Sequence, residues 1–465
     1  MLVTSRARWA SPLCCMALLV AGCAGPVKPY TAPALDLPPQ TSSESVPVLQ
    51  TDWWRAFNDP VLNAWVDEAL ARNWDVLKAA TQVAEAQAGL RSAQALNSPR
   101  LDAATEVGVR QRRIGTTTPA QEFNQQVRAA SIGAALSWEW DLWGRVAQLN
   151  TAAQARAESA ERVRQATALS VAAWVCQTYF QWRTLQDKWL IAQSALKQLD
   201  RVSELERRRW QAGLGTELAY RQSLAEAASV RAQITPLEAG IAKTGLALQA
   251  LAGRSPRELT PELPNVPATQ VALPSLPEVV DTRVLLRRPD VAAAEWTVQA
   301  EHANWNVSQA QRYPRVSLNL VGGLLASSSA VISGLPLSFE ATTGLGVPLF
   351  DGGSLEAQVQ AAQARRERAI VQYRQTVQQA YREMHDAVLQ IESSDRHAGA
   401  LIEELGLRQQ ALSLAQKSYK AGRSSQYEVL SETVKVLQVQ WSMSDTRQSQ
   451  WVARSQFYKA MGGGL

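Results

Sequence analysis

Read as apolar and polar positions, the chain switches between two periods. Over residues 62–97, Leu62, Trp65, Ala69, Val76, Ala80, Val83 and Leu90 recur at spacings near 3.6, which predicts one continuous helix ended by Pro99. The period then falls to two. Leu101, Ala103, Thr105, Val107 and Val109 alternate with Asp102, Ala104, Glu106, Gly108 and Arg110, predicting a strand over about 101–113 with one apolar face. After a polar loop, Ile132, Ala134, Leu136, Trp138 and Trp140 alternate with Ser131, Gly133, Ser137 and Glu139 in a second strand over about 125–140. A rod follows over 145–212. Residues 145–211 hold no proline and no glycine and are rich in Ala, Gln, Arg, Glu and Leu, the residues that lose least on entering a helix. At about 1.5 Å per residue such a helix reaches roughly 100 Å.

The rod stops at Gly213-Leu214-Gly215, and Thr216 is placed as the N-cap of a returning helix that runs to about residue 251, with Pro236 inside it predicted to kink it. A proline-dense linker, 253–288, separates this half from a second that repeats it. A helix of about 290–312 ends at Pro314. Strands over about 315–326 and 335–349 follow, the second with Leu337, Phe339, Ala341, Thr343, Leu345, Val347 and Leu349 on one face. The second rod spans 354–421. Pro99 matches Pro314, Asp141 matches Asp351, Ala212-Gly213 matches Ala421-Gly422, and Thr216 matches Ser425, at separations of 215, 210, 209 and 209. Four landmarks in one order mark an internal duplication. Along the second rod Leu355, Val359, Ala362, Ile370, Tyr373, Val377, Ala380, Met384, Ala387 and Ile391 form a narrow seam of largely small residues, suited to close packing of long helices.

The fold class is therefore mainly α with a small transmembrane β part. Four amphipathic strands cannot close a barrel, and an open sheet edge is not tolerated in lipid, so several chains must pool their strands; three would supply twelve. Trp138, Trp140 and Trp143 at a strand end fit an aromatic girdle at a bilayer interface.

The amino terminus adds an address. Arg6 and Arg8 precede a short apolar core and then Val20-Ala21-Gly22-Cys23, a stretch too short to span a bilayer. The Ala-Gly-Cys ending resembles the bacterial lipobox, which implies a signal peptide over 1–22 and lipidation of Cys23 on its sulfur and its amine; a plain secretory signal cut near Ala24 is the other reading. Residues 23–50, rich in Pro, Ser and Thr, read as a linker. Removing Arg6 and Arg8 lowers the net charge of +5 to +3 (45 basic minus 42 acidic), so the basic pI of 9.1 does not point to nucleic acid. With Cys14 and Cys15 in the signal and Cys23 lipidated, Cys176 has no disulfide partner.

Asp52-Trp53-Trp54 with Phe57 and Asp59-Pro60, Trp138-Glu139-Trp140-Asp141-Leu142-Trp143-Gly144, Arg287-Arg288-Pro289-Asp290, and Pro348-Leu349-Phe350-Asp351-Gly352-Gly353 together resemble the outer membrane factor family, the TolC-like exit ducts, in the branch of NodT-type efflux lipoproteins. The resemblance spans the mature chain, with first repeat 51–252 and second repeat 289–465. It implies a lipid-anchored homotrimer in the outer membrane, with a shared twelve-stranded barrel and a long α-helical periplasmic tunnel. It also implies a periplasmic adaptor and an inner-membrane transporter of the RND type as partners, and drugs or other toxic small molecules as cargo. In the family the helix after the second rod tip carries acidic residues at a constricted entrance. Matched by position these are Glu428 and Ser431, with Glu432 adjacent. Ser431 stands where the family has aspartate, so a double acidic ring does not carry over. Gly213, Thr216, Lys420, Gly422 and Arg423 mark the tips as adaptor-contact candidates.

Chemistry is sparse. None of the three histidines, His302, His385 and His397, has metal-ligand spacing to another His or Cys, and no nucleotide loop or nucleophile motif occurs, so neither an enzyme nor a cofactor is expected. Two alternatives stand beside the efflux duct: the duct of a protein-secreting system, and a lipid-anchored coiled-coil adaptor, which would not need lipid-facing strands.

Overall fold

The computed structural model describes residues 27–35, 52–115, 122–255, 271–274, 282–327 and 337–464. Cys23 and residues 36–50 of the linker lie outside them. The helices are α1 (Pro60–Arg72), α2 (Trp74–Ala95), α3 (Arg145–Gln211), α4 (Glu217–Leu251), α5 (Pro289–Ala310), α6 (Ser354–Lys420) and α7 (Gln426–Ala460); the strands are β1 (Arg100–Gly115), β2 (Glu122–Trp140), β3 (Arg315–Ser327) and β4 (Leu337–Gly346). The contacts divide the chain into two compact units.

The first unit, residues 1–34, 84–158 and 295–371, holds the sheet. Its four strands form an antiparallel meander in the order β1-β2-β3-β4. Register aligns the apolar face across all four strands. Leu101 pairs with Leu136, Leu136 with Leu320, and Leu320 with Ala341, while one step along Asp102, Ala135, Val321 and Glu340 form a row on the other face. Between β2 and β3 the strands approach so closely that a Cβ on Gly133 would meet the Gly322 carbonyl at 2.7 Å, and one on Gly323 would meet the Gly133 Cα at 2.7 Å. Only glycine fits that seam.

The second unit, residues 35–83, 159–294 and 372–465, holds the helical core. The 3-10 turn Trp53–Phe57 inserts its aromatics between helices: Trp53 stacks on Tyr458 at 5.5 Å, Phe57 meets Phe180 at 5.0 Å, and Phe180 stacks on Trp451 at 4.9 Å. Asp59 does two jobs there. It caps α1 by accepting from the Val61 and Leu62 amides, and it accepts the Tyr179 hydroxyl hydrogen at 2.6 Å. Cys176 is wholly buried in this cluster, and burial pushes its thiol up.

Two local expectations need correction. The helical pattern over 62–97 is two helices, because Asn73 leaves helical geometry and its side chain caps the Asp75 and Val76 amides at the start of α2. Strand β4 ends at Gly346 rather than near residue 349; Pro348 has no amide to pair, and Leu349 and Phe350 stand almost fully exposed. Pro236 lies inside α4, which continues through it as one helix of 35 residues.

The repeat extends to single bonds. Helices α3 and α6 have 67 residues each, α4 and α7 have 35 each, and α2 and α5 have 22 each.

Candidate functional site

The first candidate surface is the sheet. Its apolar rows are open: Leu101, Val107, Ile132, Trp140, Leu337, Phe339 and Leu345 are each at least 60% exposed. So large a contiguous apolar face on a described structure marks a surface that water does not cover. The opposite rows carry Arg100, Ser137, Asn319 and Thr342, then Asp102 and Glu340, which suit contact with water. An apolar face and a polar face on one antiparallel meander is the pattern of a membrane barrel wall. The β1 and β4 edges have no partner among the described strands.

At the helix ends of this sheet the tryptophans are anchored. Trp138 donates its indole N–H to the Asn97 carbonyl at 3.1 Å, and Trp143 donates to the Pro314 carbonyl at 2.6 Å and packs on Tyr313. Glu139 takes a bidentate ion pair from Arg145 at 2.8–2.9 Å. Asp351 accepts from the Gly353 and Leu355 amides; those bonds hold its carboxyl below the usual range and start α6.

The second candidate surface is the pair of turns that end the rods. Ala212, Gly213 and Leu214 donate to the carbonyls of Arg208, Trp210 and Arg209; Ala421, Gly422 and Arg423 donate to those of Lys417, Tyr419 and Ser418. Each bond has its twin 209 positions on. Gly213 and Gly422 both sit at φ +71°, the left-handed geometry that such helix ends require. Thr216 caps α4 through its hydroxyl, accepting from the Ala219 amide at 3.2 Å; Ser425, its counterpart, makes no such bond.

Side chains then break the symmetry. Trp210 stacks on Tyr220 at 5.6 Å within the first turn. Its counterpart Tyr419 instead meets Arg209, which hydrogen-bonds the Tyr419 hydroxyl and lies 5.6 Å from its ring. One guanidinium thus ties the two turns together. Glu206 lies 3.7 Å behind it, and higher up the rod Arg207 and Arg208 bind Glu204 and hold its carboxyl down to about 2.

The acidic candidates do not act alike. Glu428 is exposed in the first turn of α7, with no ion pair among the described residues. Glu432 is occupied, 2.7 Å from Lys435 and 3.9 Å from Arg408. Ser431 is half-buried. Lys420, Gly422 and Arg423 are exposed at the second turn, as are Gly213 and Leu214 at the first. Sequence reasoning bracketed both turns but did not single out the Arg209–Tyr419 link, since nothing in the spacing of residues 210 apart announces a contact.

Further along the unit a cavity of about 350 Å³ lies among α3, α6 and α7, lined in part by Asp187, Ile402, Met443, Arg447 and Trp451. Burial raises Asp187 to about 6 against the opposing pull of Arg183.

Comparison with known proteins decides the family. The sequence matches the outer membrane efflux protein family over residues 65–254 and 282–463, most of the chain and both repeats. The chain belongs to the outer membrane efflux protein family. It is an outer-membrane efflux channel. Among relatives of this efflux channel, the probable outer membrane lipoprotein SilC of Salmonella typhimurium is 27% identical over 467 residues, covering 96% of each chain. The pyoverdine export outer membrane protein OpmQ of Pseudomonas putida is 28% identical over 460 residues, covering 97% of this chain and 96% of its own. The solved outer-membrane channel OprN superposes with a TM-score of 0.82 at 25% identity, covering 94% of this chain and 98% of OprN.

Proposed function

We propose that three copies of this chain pool their sheets into one twelve-stranded barrel. It is the exit duct of a tripartite pump, taking drugs or other toxic small molecules from an inner-membrane transporter of the RND type through a periplasmic adaptor. The observation that carries the reading is the open meander: four strands with an exposed apolar face and two free edges are stable in lipid only when neighbouring copies complete the wall. The chain is matured by removal of residues 1–22 and acylated at Cys23, in keeping with the lipobox and with the lipoprotein name of SilC. Residues 51–252 and 289–465 act as two repeats joined by the linker 253–288.

Glu428 from each copy forms the acidic ring of the periplasmic mouth. Ser431 contributes no charge, and Glu432 is held by Lys435 and Arg408 instead of facing the path. Gly213, Thr216, Lys420, Gly422 and Arg423 receive the adaptor, since they lie at or beside the exposed turns that join each rod to its returning helix. Cargo is set by the pump rather than by the duct, and the pyoverdine of OpmQ is not assigned to this chain.

The test begins with the outer-membrane fraction. A band at three times the chain mass that collapses on boiling supports the trimer, and a detergent-free soluble monomer after delipidation refutes it in favour of an adaptor. Deleting the gene and measuring sensitivity to antibiotics, dyes, solvents and metals then reads the cargo. For the mouth, unchanged conductance and cation selectivity of Glu428→Ala in planar bilayers rejects the acidic ring.

A further inference from the structure

Residues 27–34 form a strap that lies in the sheet-bearing unit and is clamped by one helix, α5. Three α5 side chains hold Lys28. Asn306 accepts from the Lys28 amide at 3.1 Å and donates to its carbonyl at 3.0 Å, so both backbone groups of one residue are read by one side chain. His302 Nε2 lies 2.9 Å from the same carbonyl. Burial pulls His302 below the usual imidazole range, and a carbonyl only accepts, so the neutral ring carries its proton on Nε2. Trp305, 7% exposed, receives the Lys28 ammonium at 5.1 Å from its ring, with the Arg366 guanidinium at 5.4 Å. Tyr30 closes edge-on against His302 at 5.7 Å.

The clamp is wired to the strand–rod junction. Asn306 also donates to Gln148 at 3.1 Å, in the first turn of α3, and Val27 lies against Gly144, just before that helix. Gly144 follows Trp143, whose indole is bonded to Pro314 at the start of β3. The Gln148, Gly144 and Trp143 contacts fall where the sheet ends and the first rod begins. A linker needs none of this. A chain segment that only leads away from an anchor gains nothing from two backbone hydrogen bonds, a histidine contact and a cation–π contact on a single residue.

We propose that the Lys28 clamp on His302, Trp305 and Asn306 fixes the height at which the acylated amino terminus enters the bilayer, level with the tryptophan girdle of the sheet. The proposal rests on the reading that Cys23 is acylated. Cys23 is four residues before Val27, and four residues reach at most about 14 Å. The acyl chains are thus tied to the interface at which Trp138, Trp140 and Trp143 sit, and the lipid and the sheet enter the membrane as one registered unit.

The full-length protein is compared with the His302→Ala/Asn306→Ala double variant and with two flexible Gly-Ser insertions, one between Gly25 and Pro26 and one between Ser42 and Ser43. Three quantities are read: labelling with radioactive palmitate, hydrogen exchange of residues 27–34, and the amount of heat-stable assembly in outer membranes. The expected result is label in all four proteins, faster exchange in the double variant, and a several-fold loss of assembly in the double variant and the upstream insertion. The downstream insertion stays at the wild-type level. Equal behaviour of the two insertions with label present overturns the proposal and leaves acylation standing. Absence of label from the wild type overturns the acylation reading and the proposal with it.

Discussion

Asn73 and Arg288 stand at equivalent points of the two repeats, each one residue before a 22-residue helix, and each binds the last carbonyl of its own returning helix. Asn73 Nδ2 donates to Leu251 at 2.8 Å, and Arg288 Nη1 donates to Ala460 at 3.3 Å. Both side chains are buried. One position has kept its task while changing from an amide to a guanidinium. The guanidinium has more to hold, since it also meets Asp290 and Glu383 at 2.8 Å.

That difference sets a ranking. Arg288→Ala strands two carboxylates, both part-exposed, and should cost about 3 kcal/mol, the lower end for a broken buried pair. Asn73→Ala loses a cap and one carbonyl bond, about 1–2 kcal/mol. Thermal melts of the detergent-solubilised protein should therefore place Arg288→Ala below Asn73→Ala, and the reverse order contradicts the equivalence drawn here.

Asp187 makes stability depend on pH. Its folded carboxyl titrates at about 6 against an ordinary 3.8, so the folded state keeps a proton that the unfolded chain has lost. Stability from this group is therefore greatest below the ordinary value, falls as pH rises toward 6, and stays reduced above it. Asp187→Asn mimics the protonated form and should stabilise the protein by about 1–2 kcal/mol at pH 7.5. The gain should vanish near pH 4; a gain that persists there assigns the effect to packing.

The two faces of the sheet give a paired test. Ile132 belongs to the apolar rows and Ser131, its neighbour, to the polar ones. A lysine at a lipid-facing barrel position costs about 2–4 kcal/mol at mid-depth. Ile132→Lys should remove most heat-stable assembly from outer membranes, while Ser131→Lys should spare it and shift ion selectivity toward anions. Equal tolerance of both substitutions would place lipid on neither face.

At the rod ends, Tyr419→Phe keeps the ring over Arg209 but deletes the hydroxyl, whereas Arg209→Ala removes both contacts. A hydrogen bond to a charged group is worth about 1.5–3 kcal/mol, so closed times in planar bilayers should shorten about tenfold or more. The order should run wild type, Tyr419→Phe, Arg209→Ala. Identical closed times in all three dissociate this link from closure.

The rods, the strands and the duplication were readable because each rests on a one-dimensional period: 3.6 over long proline-free runs, two along the strands, and constant offsets between repeats. Gly213 and Gly422 were readable for a related reason, as a helix end needs a left-handed residue and glycine supplies it. The break at Asn73 was not, because its apolar neighbours keep helical spacing on both sides and only the side-chain cap reveals it. Glu432 differs from Glu428 through Lys435 and Arg408, and the second of these comes from another helix. The strap clamp was hidden for the same reason: Lys28 and Asn306 have no local pattern in common, and only the folded chain brings an amide to that carbonyl.

The glycine seam between β2 and β3 has a consequence for the order of events during biogenesis. Gly133 comes from the first repeat and Gly323 from the second, so the middle of the sheet cannot zip until the chain has delivered α3, α4 and α5 across the inner membrane. Pairing between residues so distant in sequence is slow, because a long loop must close before the first contact repays it. Until then the β1–β2 hairpin waits with an apolar face and an unzipped inner edge, the stretch of the half-exported chain most open to misassembly.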